Sequence, residues 1–367
     1  MKIEKLQVRN FRNLKKIEYE PSPGLNVLVG DNAQGKTNLL ESIFVLATGN
    51  SFRSATDSNL VKYETEGYAI KSSYIFSERA LEASIQYQTN GYKSALINNK
   101  KSTQKHPDRI RVILFTPDDL FLVKGSPSKR RAFLDFIMKQ LSEEYIFNLD
   151  NYAAILKKRN LLLRKEQTTG KAFKVINEVF IENAIRVVMQ RINFVNILDD
   201  INRTVFREIN NGQNDIKIRY ALSFALDSDK INVTVLQDAL RKNIENNLKS
   251  EVFRKKTLAG PHLDDLNFYQ DGRLARTFAS QGQQRNLAIS LKLAEIYAFK
   301  KIKGSYPLFL LDEVLAELDE QKRSLLLKHL QAAAFQTFLS SVDFENIDEG
   351  GASIFLIKEG RLIRKEK

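Results

Sequence analysis

Residues Gly30-Asp31-Asn32-Ala33-Gln34-Gly35-Lys36-Thr37 spell G-x-x-x-x-G-K-[ST], a spacing whose chemistry is the binding of nucleotide phosphates. Two glycines let the backbone fold so that successive N–H groups face one point. The start of a helix adds partial positive charge there, and Lys36 adds a full one. Thr37 offers its hydroxyl to Mg²⁺ beside the β- and γ-phosphates. The surroundings suit the motif: "LNVLVG" before it has the near-continuous apolar character of a strand buried on both faces, and "NLLESIFVLA" after it has helical periodicity. An ordinary strand-to-helix turn is the alternative reading.

A second candidate is "PLFLLDEVLAELD". Leu308 to Leu311 form an apolar strand that delivers Asp312 and Glu313 at its C-terminal end, where ligands bind in open parallel sheets. Two adjacent carboxylates there repel each other and are poorly solvated, so they call for a cation nearby. Asp312 can hold Mg²⁺ through water, and Glu313 can polarise an attacking water as general base. The alternative is a solvated helix start capped by acidic residues. A third stretch, "FASQGQQRNLAISLKLAEI", opens a helix with a serine, a glycine and three glutamines in five positions.

The elements around these motifs predict an α/β protein. The first 30 residues read as strands with a turn at Pro21 to Gly24, and residues 67–115 as a small antiparallel β subdomain with a tight hairpin at Asn90-Gly91. Leu134, Ile137, Leu141, Tyr145, Leu149, Tyr152 and Leu156 keep a three-or-four spacing. Ile181, Ile185, Val188, Ile192, Val195, Leu198, Ile201 and Val205 do so after a break near Gln167 to Gly170. Two long antiparallel helices are the natural result. Strands return at "DIKIRYALSF" and at the Asp271-Gly272 hairpin. The expected divisions are 1–125, a first part of a nucleotide-binding lobe; 126–255, a helical lobe; and 256–367, the remainder of the nucleotide-binding lobe.

With 57 Lys and Arg against 44 acidic residues, the net charge is +13, which favours polyanions, nucleic acid above all. The clusters Lys129-Arg130-Arg131 and Lys157-Lys158-Arg159 are candidate phosphate contacts. The absence of cysteine excludes disulfides and thiolate metal sites, and three scattered histidines argue against zinc. No apolar run approaches the roughly 18 residues of a membrane span, and the N-terminus lacks a signal-peptide core. A cytoplasmic protein is expected.

One phosphate loop, one Asp-Glu strand end and a Ser-x-Gly-Gln helix start form the constellation of ABC-type ATPases. Within that class the chain resembles the RecF family of bacterial DNA-repair ATPases, in the SMC-like group, over nearly its full length. The resemblance rests on "NFRN" (Asn10 to Asn13), the phosphate loop, "FTPDDL", "GSPSKRRAFLD" (Gly125 to Asp135), "AGPHLDD" (Ala259 to Asp265), "ASQGQQRNLAISLKLAE" (Ala279 to Glu295) and "LLDEVLAELD" (Leu310 to Asp319).

That resemblance implies an ABC-type P-loop ATPase head with an antiparallel β subdomain and a helical lobe II carrying a short antiparallel helix pair. It implies that ATP is bound by Gly30 to Asn38 with Arg12, and that Ser280, Gln281, Gly282 and Gln283 cap the γ-phosphate of ATP held by a second subunit. Ser280 and the Gly282 backbone would form that second anion site at a helix start. Asp319 belongs to the interface-lining D-loop, and Ser340, with Ser341, stands at the switch position beside Lys36 and Glu313. The implied function is ATP-driven homodimerisation on DNA at single-strand gaps, aiding RecA loading with RecO and RecR, replication restart and SOS induction, with weak ATP hydrolysis as the switch.

Departures from transport-type ABC proteins are Gln281 in place of glycine, Pro117-Asp118-Asp119 where a Q-loop glutamine would stand, and Ser340 in place of histidine. Leu263 stands where the RecF pattern has arginine, and His262 is either a polar contact or structural. The alternative function, the head of a transporter or another SMC-like ATPase, is disfavoured by the helical insert, the basic charge and the missing switch histidine. An SMC tether would need far longer heptad arms.

Overall fold

The apolar stretch Leu25–Val29 is buried at every position, as a strand sheathed on both faces must be. The computed structural model describes all residues except 54, 104, 211, 213, 229, 343–350 and 365–367. Residues 1–120 and 295–367 form one unit, and residues 121–294 a second. The first unit opens with β1 (Lys2–Phe11), β2 (Leu14–Tyr19), β3 (Leu25–Val29), α1 (Lys36–Thr48) and the one-turn α2 (Asp57–Leu60). Then follow β4 (Gly67–Phe76), β5 (Arg79–Gln88), β6 (Lys93–Ile97), β7 (Lys100–Lys101) and β8 (Val112–Phe115). An antiparallel sheet runs β2-β1-β4-β5-β6-β7. On β5, Leu81, Ala83 and Ile85 are buried in alternation, so one face of that sheet is core. β1 and β2 belong to it, which the sequence reading had placed apart.

The second unit is built on helices α3 (Pro127–Leu141), α4 (Glu143–Arg164) and α5 (Lys171–Ile209). Asn148 bonds Gln190 and Arg159 bonds Asn177, so α4 and α5 run antiparallel, as expected. The single helix expected over 134–156 is two. Ser142 ends α3 in an extended conformation and its side chain caps α4 by accepting from Tyr145 N–H. Beyond β9 (Ile216–Ala221) comes α6 (Val233–Arg254), a helix absent from the sequence reading. It buries only Leu236, Leu240, Ile244 and Glu251, a stripe too thin to stand out in the sequence. β10 (Asp265–Gln270) and β11 (Arg273–Leu274) meet at Asp271-Gly272, both at positive φ, and β10 also pairs β9. The short α7 (Ala275–Phe278) leads into α8 (Gln281–Lys303). Residues 256–294, expected with the nucleotide-binding lobe, fall in this second unit.

Back in the first unit lie β12 (Leu308–Asp312), α9 (Glu320–Gln331), β13 (Thr337–Ser341), β14 (Ala352–Lys358) and β15 (Arg361–Arg364). They complete a mixed sheet in the order β15-β14-β3-β13-β12-β8. β3, β13 and β12 are parallel neighbours, in register Val27 to Leu339 to Leu311. Parallel pairing places the C-terminal ends of β3 and β12 on one edge, with β13 between them. The phosphate loop leaves one of these strands and the Asp-Glu pair the other. Among the described residues no helix is long and apolar enough to cross a membrane.

Candidate functional site

The loop from Gly30 to Gly35 turns between β3 and α1 at a place where side chains do not fit. A Cβ on Gly30 would lie 2.3 Å from the Ile357 carbonyl oxygen, and one on Gly35, at φ 116°, would lie 2.9 Å from Leu14 Cδ2. Helix α1 has no side-chain cap, so its first N–H groups and its positive dipole end face the cleft. Lys36 is almost wholly buried there. Its ammonium donates to the carbonyls of Gly30 (2.6 Å) and Asp31 (3.0 Å), with Glu313 Oε1 3.9 Å away. A buried cation at the positive end of a helix is suited to binding an anion. The cleft, of about 490 Å³, is lined by Asn13, Asn32, Ala33, Gly35, Lys36, Thr37, Asn38, Arg53 and Glu313.

Thr37 Oγ1 donates to Asp312 Oδ1 (2.7 Å), joining two motifs that are 275 residues apart. Ser340, fully buried on β13, donates to the same Asp312 oxygen (2.8 Å) and accepts from Glu313 N–H (2.9 Å). Ser340 therefore ties the Asp312 carboxylate to the Glu313 backbone. Glu313 itself is at φ 53°, a costly left-handed conformation for a non-glycine residue, with its carboxylate exposed to the cleft. A hydroxyl beside a carboxylate suits magnesium, which takes hard oxygen ligands and keeps several waters and phosphate oxygens. No cluster of three or more histidine or carboxylate side chains that could hold a metal occurs among the described residues.

Four expected contacts do not line the cleft: the Gly30 and Asp31 carbonyls are taken by the Lys36 ammonium, and Arg12 and Gln34 turn elsewhere. Arg12 is turned onto Glu41, a fully buried carboxylate of α1, in a bidentate pair (3.0 Å and 3.0 Å). Gln34 faces the turn between β14 and β15 instead. Asn13 and Arg53, which the sequence reading did not single out, take part in a chain of contacts. Asn13 Nδ2 donates to the Ala33 carbonyl (3.0 Å), Asn38 Nδ2 to Asn13 Oδ1 (2.8 Å), and Arg53 to Asn38 Oδ1 (3.0 Å). Asn13 was legible as the last residue of "NFRN"; nothing in the local sequence marks Arg53.

In the second unit, the polar start of α8 forms a reciprocal cap. Ser280 Oγ accepts from Gln283 N–H (3.2 Å) and Gln283 Oε1 accepts from Ser280 N–H (2.8 Å). Gln284 Nε2 donates to the Ala279 and Ala275 carbonyls and so braces the turn before it. Ser280 and Gln281 are exposed. Because Ser280 acts as acceptor in the cap, its hydroxyl proton is not used by it. In the first unit Asp319 caps α9 through Lys322 N–H (3.0 Å) and pairs with its ammonium, which holds the Asp319 carboxyl below the usual range.

The basic clusters need correction. Arg130 is 1% exposed and makes a bidentate pair with Asp265 (2.7 Å and 2.8 Å), and Arg159 is 0% exposed and pairs with Glu251 (2.5 Å). Neither can reach a phosphate. Arg131 donates to the Asp264 carbonyl, whereas Lys129, Lys157 and Lys158 are exposed.

The "GPHLDD" segment is a packing hub. Arg191 donates to the Pro261 carbonyl and to Asp135, and Asp264 accepts from the Tyr220 hydroxyl and from Ser223 N–H. His262 Nδ1 lies 2.5 Å from the Tyr152 hydroxyl. Burial, reinforced by Arg131, Arg159 and Arg191, pushes the imidazole from 6.5 down to about 4, against a smaller opposing effect of the Thr257 carbonyl. A depressed histidine contributes stability that is complete above pH 6.5 and lost as pH falls towards 4, on the order of 3 kcal/mol. His262→Gln is expected to flatten that slope in denaturant titrations between pH 7 and 4.5. An unchanged slope would contradict this.

A model of the RecF/RecN/SMC N-terminal domain matches residues 2–361. The DNA replication and repair protein RecF of Staphylococcus carnosus is 35% identical over 373 residues, covering 99% of this chain and all of that protein. The chain belongs to the RecF family. RecF of Bacillus cereus is 36% identical over 355 residues, covering 95% of this chain and 94% of that protein. A solved structure of the recombination mediator protein RecF with ATPrS, in the RecFOR pathway, matches with a TM-score of 0.88 at 30% identity, covering 99% of this chain and 98% of that one. An SMC head bound to the C-terminal winged-helix domain of ScpA matches at 0.57 and 16% identity, covering all of this chain and 98% of that one, a likeness of fold alone.

Proposed function

We propose that this RecF-family chain is an ATP-gated DNA-binding protein of recombinational repair, its nucleotide-binding unit a head of the ABC type. The observation that carries the reading is the bond from Thr37 to Asp312 beside the buried Lys36 ammonium, which joins the phosphate loop to the Asp-Glu strand end. The N–H groups at the start of α1 and the Lys36 ammonium hold the β- and γ-phosphates of ATP. Thr37 and Asp312 would hold Mg²⁺, which supplies neutralisation of phosphate charge when bound. Glu313 accepts a proton from the water whose oxygen attacks the γ-phosphorus, as the bond to the β–γ bridging oxygen breaks. Ser340 is a positioning residue, fixing Asp312 and Glu313 together. ATP held in one chain is capped by Ser280 and the Gly282 backbone of a second copy, and Asp319 lines that interface. Solved RecF structures named for ATP and for the RecFOR pathway support both the ligand and the association with RecO and RecR. RecA loading at gaps, replication restart and SOS induction belong to the same reading.

DNA meets the second unit where α4 and α6 end. The buried pair Arg159–Glu251, the bond from Thr257 N–H to Asn160 and the pair Lys255–Glu166 (3.6 Å) bring these two ends side by side. Lys157, Lys158, Arg164 and Lys165 are exposed at one end, and Arg254, Lys255 and Lys256 at the other. Phe253, 87% exposed among them, offers a stacking surface. Such a pole contacts phosphates without reading sequence. Replacing Lys157, Lys158, Arg254 and Lys256 by alanine should flatten the log–log salt dependence of DNA affinity by about 3 to 4 units, at roughly 0.9 per phosphate contact. Anisotropy titrations with a gapped duplex measure this, and an unaltered slope would place the DNA elsewhere.

A further inference from the structure

The phosphate loop is gripped from outside by the turn between β14 and β15. Gly360 N–H donates to the Gln34 carbonyl (3.1 Å), and Glu359 N–H donates to Gln34 Oε1 (2.6 Å). The approach is close on both flanks: a Cβ on Gly360, at φ 70°, would lie 2.6 Å from the Asn13 carbonyl oxygen, and one on Gly30 would meet Ile357. Asn13 in turn holds the Ala33 carbonyl. The hairpin is no loose tail, because β14 pairs in parallel with β3, the strand that feeds the loop, and Phe355 packs edge-on against Tyr19.

Peptide planarity gives the grip its consequence. In a trans peptide the C=O and the following N–H point in opposite directions. The hydrogen bond that draws the Gln34 carbonyl to Gly360 therefore turns the Gly35 N–H away from the hairpin, and Gly35 lines the cleft. We propose that the β14–β15 hairpin is a latch that orients the anion-binding amides, with Gln34 as the positioning residue that couples hairpin and nucleotide. The sequence motif leaves Gln34 as a free position, and the latch supplies a reason for a side chain with an acceptor there. This inference rests on the nucleotide-binding reading of the cleft.

Hydrogen–deuterium exchange of the full chain tests it, with and without adenylyl-imidodiphosphate and Mg²⁺, in the wild type, Gln34→Leu and Gly360→Ala. In the wild type the analogue should slow exchange about tenfold or more both in residues 30–38 and in residues 356–363, as an added constraint on two linked segments. In Gln34→Leu a saturating analogue should protect residues 30–38 but not the hairpin, and affinity should fall about tenfold, the order set by one hydrogen bond. Hairpin protection equal in both proteins would overturn the latch. If the analogue protects neither segment in the wild type, the nucleotide reading fails on its own. The latch is then judged without nucleotide, where Gln34→Leu must speed exchange in residues 30–38 and 356–363, and unchanged rates overturn it. If Gly360→Ala does not fold, Gln34→Leu carries the test.

Discussion

Lys36→Ala is expected to weaken ATP binding about a hundredfold, the order of cost for removing one partner of a buried charge pair, while leaving the melting temperature within a few degrees. The asymmetry follows from where the ammonium sits. It is buried against two carbonyls with the half-exposed Glu313 carboxylate 3.9 Å away, and those attractions are opposed by the cost of burying the charge and by the positive end of α1. Only a polyphosphate turns that arrangement into net stabilisation, so its loss is felt in binding and hardly in folding. Titration with a fluorescent ATP analogue, paired with a thermal melt, separates the two. Unchanged affinity would remove the cleft from its proposed role.

Ser280→Arg should have the complementary effect, abolishing ATP-dependent dimerisation while each chain still binds ATP with near wild-type affinity. Ser280 belongs to the second unit, whereas every residue lining the cleft belongs to the first. The substitution removes a helix cap, a local cost of about 1 kcal/mol, and places a bulky cation where the hydroxyl would meet the partner's nucleotide. Sedimentation with ATP and Mg²⁺ reads the dimer, and equilibrium binding reads the monomer. Loss of both together would mean that Ser280 acts within its own chain.

The chemistry-bearing stretches were the most legible part of this chain because each is local: a loop between a buried strand and a helix, and a strand that ends in two carboxylates. Their union was not, since Thr37 and Asp312 meet through sheet order, and no local pattern states that β12 lies one strand away from β3. The basic clusters failed for the opposite reason. A run such as Lys157-Lys158-Arg159 reads as three surface charges, but on α4 the third falls on the buried side, where Glu251 from α6 neutralises it and Phe173 and Phe180 cover it. Helix α6 was itself missed, so its carboxylate had no place in the reading. Arg12 and Arg53 exchanged expectations likewise, because Glu41, from the first turns of α1, holds the former in a bidentate pair and the latter only at 3.8 Å, and Arg53 lines the cleft.

The central claim is that one nucleotide is held by Lys36 of one chain and by Ser280 of another. Mixing Lys36→Ala with Ser280→Arg chains tests this most directly. Each variant alone should fail to dimerise with ATP, but a head-to-tail pair of the two contains one composite site with both groups intact. Energy transfer between differently labelled variants should therefore appear on adding ATP and Mg²⁺, with one nucleotide per pair. No association at any mixing ratio, although the Ser280→Arg chain binds ATP by itself, would contradict the shared site.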